Sequence, residues 1–212
     1  MATKTQEPNL TEAEPTWAIA DLFPRQGTWS EEEYFALPGN RLVEYSHGVV
    51  EVLSMPSYPH QLVVAWLYEV LLRFVRQHGL GRVIFAPVRV RLWAGKYREP
   101  DVMFMANANL HRIHRHYWDG ADLVMEVMSP DDPERDAETK RREYAQAGIP
   151  EYWLVNPMAG TITVFTLPPG QREYAVHGVY DRSQRAESVL LPGFSVDVNA
   201  CFAEAEELGL DE

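Results

Sequence analysis

The chain has 212 residues, 46% of them hydrophobic, with 6 Trp, 10 Tyr and 8 Phe, which excludes a disordered composition and suits one domain with decorated ends. Its single cysteine, Cys201, rules out an internal disulfide and suits a reducing compartment. No apolar run reaches the ~18 residues of a membrane span, and the polar start lacks a secretory pattern, so a cytoplasmic protein is expected.

Residues 1–28 read as a flexible acidic segment. Ser30 followed by Glu31, Glu32 and Glu33 reads as a helix N-cap with acids in the first turn, and Pro38-Gly39 as the stop. Strands are expected at 41–45 and 49–55, joined by Ser46-His47-Gly48. From His60 to His78, Val63, Trp66, Leu67, Val70, Leu71, Phe74 and Val75 recur at spacings of three and four, which predicts a helix ended by Gly79 and Gly81. The run Val83–Trp93 alternates and reads as one strand with a wet face. Asp101–Met105 and Asp122–Met128 are strongly apolar and read as central strands buried on both faces. Between them lies a polar, His-rich loop at 106–120. A helix is expected at 134–147, stopped by Gly148 and Pro150, and then a strand at Glu151–Val155. That helical crossover makes the strands of Glu126 and Trp153 parallel. Shorter strands are expected at 161–166, 173–178 and 187–191. An acidic tail is expected at 201–212, which leaves 29–200 as the domain.

The formal charge of −12 argues by itself against a nucleic-acid partner. Its distribution weakens that argument. Residues 1–33 carry −5 and residues 201–212 another −5, so 34–200 stand near balance at −2. Within 81–117, Arg82, Arg89, Arg91, Lys96, Arg98, Arg112 and Arg115 face only Glu99 and Asp101. This segment is either a solvated strand face and loop or a phosphate-facing surface.

Two carboxylates break the pattern of the core. Glu126 interrupts Leu123–Met128, where an unpaired charge would be costly to bury. Asp101 opens the preceding buried strand after Pro100. Two acids on neighbouring strands suit a hard cation such as Mg²⁺. The plainer alternatives are a core ion pair with an arginine for Glu126 and a turn-capping strand edge for Asp101. Lys140 shares a helical face with Asp136, and Tyr144 extends that face. Lys140 is therefore either half of a surface salt bridge or a group that steadies developing phosphate charge. Glu44 is a further candidate, with a strand-edge acid as its alternative. No glycine-rich phosphate loop and no G-x-S-x-G elbow is present. His111, His114 and His116 lack the cysteine partners of a zinc site, and Cys201 is poorly placed for a nucleophile.

The strings REPDVMF (98–104), ADLVMEVMSP (121–130) and RDAETKRREYAQAGIPEYWLVNP (135–157), with LVEYSHGVVEV (42–52) and SYPHQ (57–61), carry a resemblance over residues 29–200. The chain resembles the Uma-type putative restriction endonucleases of the PD-(D/E)xK nuclease superfamily. The resemblance implies an α/β restriction-endonuclease-like fold: a mixed central β-sheet flanked by helices, with extra C-terminal strands. It implies Mg²⁺ (or Mn²⁺) held by Asp101, Glu126 and the Val127 carbonyl, with Lys140 as catalytic lysine. In the wider superfamily that lysine stands two residues after the acid. Here that position is Met128, and Lys140 on the following helix takes its place. Ser46-His47-Gly48 and Asn156 depart from the family, which usually has an acid before that Gly and an Asp before Pro157.

The expected function is metal-dependent hydrolysis of DNA phosphodiesters. The alternatives are a catalytically silent nuclease-fold module that binds nucleic acid or protein, and hydrolysis of another phosphate ester. A homodimer is expected through exposed aromatic strands near the C-terminal end.

Overall fold

The computed structural model describes residues 24–37, 42–130 and 135–206. Helix α1 (Glu31–Ala36) begins at Ser30, which forms a capping box with Glu33. The expected stop at Pro38-Gly39 lies outside the described residues. Strands β1 (Val43–Ser46) and β2 (Val49–Val52) form a hairpin. At its turn Gly48 has φ 84°, and a Cβ there would lie 2.6 Å from the Gly27 carbonyl oxygen. Helix α2 (Tyr58–His78) turns Val63, Val64, Leu67, Leu71 and Val75 inward and ends on left-handed Gly79.

The alternating run after α2 is two strands, not one: β3 (Gly81–Phe85) and β4 (Arg89–Trp93). Pro87 between them has no N–H to give a ladder, and the chain leaves one sheet for the other there. Next come β5 (Lys96–Arg98), β6 (Val102–Ala106), β7 (Tyr117–Asp119) and β8 (Leu123–Val127). The expected 106–120 loop thus holds a 3₁₀ turn, Asn107–Arg112, and a strand, β7, parallel to β4. The expected helix at 134–147 is a π-helical turn, Arg135–Lys140, leading into α3 (Arg141–Gln146). Strands β9 (Glu151–Asn156), β10 (Thr161–Thr166) and β11 (Ala175–Tyr180) follow. The chain closes with β12 (Arg185–Glu187), β13 (Ser195–Asp197) and α4 (Val198–Glu206).

The strands form a six-stranded sheet, β11-β10-β9-β8-β6-β3, a five-stranded sheet, β2-β1-β5-β4-β7, and the pair β12-β13. Strands β8 and β9 are parallel, as the helical crossover requires. Along the central strands, side chains alternate between two cores. Val102, Phe104, Leu123, Met125, Val127, Trp153 and Val155 pack with α2 and α4. Met103, Met105, Val124 and Tyr152 pack with Val90, Leu92 and Tyr144 on the opposite face. A third cluster of Trp29, Tyr34, Val43, Tyr45, Val50 and Tyr97 joins α1 to the smaller sheet.

The folded region runs past the boundary expected at residue 200. Helix α4 buries Cys201 and Phe202 in the larger core, because it packs against α2 and the apolar pair joins the same cluster as Val63, Leu67 and Leu71. The acidic side chains that mark residues 201–212 as a tail conceal that anchor. Among the described residues no helix is long and apolar enough to cross a membrane.

Candidate active site

The register of β6 on β8 sets the site. Val102 pairs with Met125 and Met103 with Val124. One further step of this antiparallel register places Asp101 across from Glu126. By alternation both acids share the sheet face of Met103 and Val124. They line one cleft of about 390 Å³ together with His60, Glu99, Val127, Ser129 and Lys140.

Within that cleft Val127 N–H donates to Asp101 Oδ2 at 2.8 Å. Glu126 is 1% exposed. Its Oε2 accepts from Lys140 Nζ at 2.8 Å, and its Oε1 accepts from the Tyr144 hydroxyl at 2.5 Å. The buried carboxylate therefore has a charged and a neutral donor from the crossover. Among the described residues its charged partner is a lysine. Lys140 is itself buried, which excludes a plain surface salt bridge. The side chain of Asp136, its expected helical neighbour, lies outside the described residues. Burial, with the negative charge of Glu126 added, pushes the Tyr144 hydroxyl well above its ordinary range, so it stays a proton donor.

His60 was not anticipated as a site residue. Its Nε2 lies 3.0 Å from the Val127 carbonyl oxygen and 3.5 Å from Asp101 Oδ2. A carbonyl can only accept, so Nε2 carries the hydrogen in this arrangement. Burial would lower the imidazole pKa. The Asp101 carboxylate, the Val127 carbonyl and the charge of Glu126 outweigh it, and the net shift is upward. The sequence held one sign of this role: His60 starts the helical stripe that continues through Val64, Leu67 and Leu71, so it faces the sheet.

Glu44 is placed elsewhere. It is fully buried, but it does not line the cleft. One oxygen ion-pairs with Arg98, and the other accepts from Glu99 N–H at 3.1 Å. Arg98 also donates to Glu143 through Nε (2.7 Å) and Nη2 (3.1 Å), while Lys96 pairs with Glu143 at 2.8 Å. Burial alone would raise the Glu143 pKa. The hydrogen bonds from Arg98 and Lys96 prevail and hold it below the usual range. Glu44 thus belongs to an ionic clamp that ties β1 and β5 to helix α3, one residue from Tyr144. Glu44 is also no strand-edge acid, because β1 lies between β2 and β5 and the side chain is fully buried.

The donor chemistry of the cleft fits a hard divalent cation. It offers two carboxylates and a main-chain carbonyl, and Asp101 Oδ1 accepts no hydrogen bond among the described residues. Among those residues no group of three or more His, Cys, Asp or Glu side chains is arranged for a metal, the three-histidine segment included. A site here would therefore depend on Asp101, Glu126 and the Val127 carbonyl together.

A comparison with solved structures finds a likeness to a crystal structure described as a putative nuclease belonging to DUF820 from Anabaena variabilis. It is 18% identical, with a TM-score of 0.67, over 82% of this chain and 97% of that one. At that identity the likeness shows the fold, a mixed α/β arrangement of sheets flanked by helices. No curated protein matches the chain. The family model for Uma2, described as a putative restriction endonuclease, matches residues 31–199, which hold Asp101, Glu126 and Lys140. The chain belongs to the Uma2 family of putative restriction endonucleases.

Proposed function

We propose that the chain is a metal-dependent endonuclease that hydrolyses DNA phosphodiester bonds. The observation that carries this reading is the convergence of Asp101, Glu126 and Lys140 on one cleft, with Lys140 Nζ 2.8 Å from Glu126 Oε2. Asp101, Glu126 and the Val127 carbonyl would hold Mg²⁺ or Mn²⁺. Such an ion, when bound, lowers the pKa of a water and polarises a phosphate oxygen. Lys140 supplies a compact positive charge where negative charge develops on the phosphate. Tyr144 and Lys140 fix the orientation of the Glu126 carboxylate, and His60 does the same for the Val127 carbonyl and Asp101.

The test is a nuclease assay on plasmid and single-stranded DNA with Mg²⁺ or Mn²⁺, run beside Asp101→Ala. Cleavage that requires the metal and is lost in Asp101→Ala supports the reading. Binding of nucleic acid without cleavage under any of these conditions would assign the chain to the silent-module alternative.

A further inference from the structure

A nucleic acid cut at the catalytic cleft brings more charge than that cleft can meet. Duplex DNA carries one negative charge per about 1.7 Å of its axis, so the phosphates beside the cut also lie against the protein. Among the described residues two basic side chains line the catalytic cleft, His60 and Lys140. Both already face acids, Asp101 and Glu126. The exposed wall of the cleft presents Val52, Ser54 and Met55, none of them charged. Cations for the flanking phosphates must come from elsewhere.

A second and larger cleft adjoins the first and can supply them. Its volume is about 590 Å³, and it lies between β3, β4 and the 113–118 segment. The two clefts share Glu99 as a common wall, and the consecutive residues Ala86 and Pro87 line one each. Arg82 is exposed on the β3 side, and His114, Arg115 and His116 are exposed on the other. Arg82 Nη1 donates to the Gly81 carbonyl at 3.2 Å. Among the described residues neither Arg82 nor Arg115 is in an ion pair. Glu99, the one acid in the lining among those residues, is buried and faces Arg89. Asp119, just past the segment, is held at both oxygens by Arg91.

The basic segment is shaped before any ligand arrives. His114 N–H donates to the Tyr117 carbonyl at 2.9 Å, and Ile113 bridges Trp118, so residues 114–117 close a turn. The rings of His114 and His116 lie against Tyr117 and Phe35, and Arg115 stands between those two anchored residues. Little backbone order is then lost on binding. The guanidinium forks suit phosphate oxygens, and each imidazole can donate a ring N–H whether charged or neutral. Exposed cations on two walls of an open cleft suit an extended chain of phosphates, and the shared wall at Glu99 makes that chain continuous with the catalytic cleft.

We propose that this second cleft holds the sugar-phosphate backbone of a nucleic acid beside the cut, with Arg82 and Arg115 as its phosphate contacts. The proposal rests on the endonuclease reading for what happens next door, but not for binding itself.

The experiment is fluorescence anisotropy in EDTA, where nothing is cut. The probes are two labelled DNA duplexes of unrelated sequence and, standing in for an acidic protein, labelled polyglutamate. Both duplexes should bind more tightly than polyglutamate. Arg82→Ala with Arg115→Ala should weaken both duplexes alike, since backbone contacts carry no sequence information. The loss should be about tenfold or more, the scale of one charge-assisted contact. The salt slope should fall by about one for each phosphate left without its arginine. Arg82→Lys with Arg115→Lys should keep most of the binding, because a point charge also serves a phosphate. Arg185→Ala, on β12 and outside both clefts, should leave binding unchanged. These arginines are exposed, so the variants should fold, which circular dichroism checks. With Mn²⁺ present the Ala double variant should show a raised KM and a kcat near wild type. Wild-type affinity in that variant, a loss on one duplex only, polyglutamate bound as tightly as DNA, or no binding of either duplex would overturn the proposal. Binding weakened in the double variant, with no cleavage by the wild type in Mg²⁺ or Mn²⁺, would remove the endonuclease reading and leave the backbone site standing. Cleavage by the double variant with wild-type KM and kcat would do the reverse.

Discussion

Lys140 and Glu126 lie 14 residues apart in the chain and 2.8 Å apart in space, both buried. One stands on a central strand and the other on the crossover that leaves it. The pair holds a charge inside the sheet that neither residue could keep there alone.

This pair sets the first prediction. Lys140→Ala should cut activity by roughly 10²-fold or more, the scale of losing one electrostatic stabiliser. It should also destabilise the fold by on the order of 3 kcal/mol, because it strips a charged partner from a buried carboxylate. Lys140→Arg should fail as well, since a planar fork does not replace a point charge in this space. Turnover and urea denaturation of both variants check this. Full activity in Lys140→Ala would falsify the assignment of Lys140.

The imidazole of His60 bridges two of the groups expected to hold the metal. His60→Ala releases the Val127 carbonyl and Asp101 from that bridge. Mn²⁺ affinity should then fall by about tenfold or more, as for other groups that orient metal ligands. Electron paramagnetic resonance of free Mn²⁺ gives the measurement. A rise in affinity would show that the imidazole competes with the cation for these oxygens.

The Arg98–Glu143–Lys96 clamp predicts an acid-sensitive fold. The Glu143 pKa is depressed in the folded chain relative to its ordinary value of 4.5. Its contribution is therefore present above that value and lost as pH falls through the folded one. In Glu143→Gln the chain should be less stable at neutral pH, and its stability should decline less steeply in acid. Urea midpoints measured across the acid range decide it, and parallel curves for the two proteins would discount the clamp.

Helix α4 carries a prediction about the end of the domain. Phe202 is 1% exposed and lies in the larger core. Phe202→Ala should cost about 3–5 kcal/mol, the usual scale for removing a large aromatic side chain from a core. Thermal unfolding would show it, and an unchanged midpoint would restore the view that the domain stops near residue 200.

The central architecture was legible because its signals are local. The stripe of α2, the cap at Ser30 and the apolar runs around Asp101 and Glu126 each declare themselves within one element. The parallel pairing of β8 and β9 followed from the crossover between them. The division of Val83–Trp93 was missed because alternation continues through Pro87 while the chain changes sheets. The placement of Glu44 was not legible for a related reason. A lone acid on a strand looks the same whether it faces a metal or an arginine, and Arg98 lies 54 positions away. His60 escaped because a histidine on an apolar helical face carries no mark of what the opposite strand presents. The core role of Cys201 and Phe202 was hidden by five acidic neighbours in the final segment.

The crossover that carries Lys140 also has a consequence for how the molecule acquires its activity in time. Strands β6 and β8 are antiparallel and joined through residues 107–122, whereas β8 and β9 run parallel and pair only after the longer segment 128–150 has been crossed. Lys140 and Tyr144 ride on that wrapping segment, so they settle against Glu126 as β9 docks beside β8. We expect refolding to restore sheet structure first and catalytic competence later. Stopped-flow ellipticity beside a double-jump activity assay would separate the two, and simultaneous recovery would mean that site and sheet form in one step.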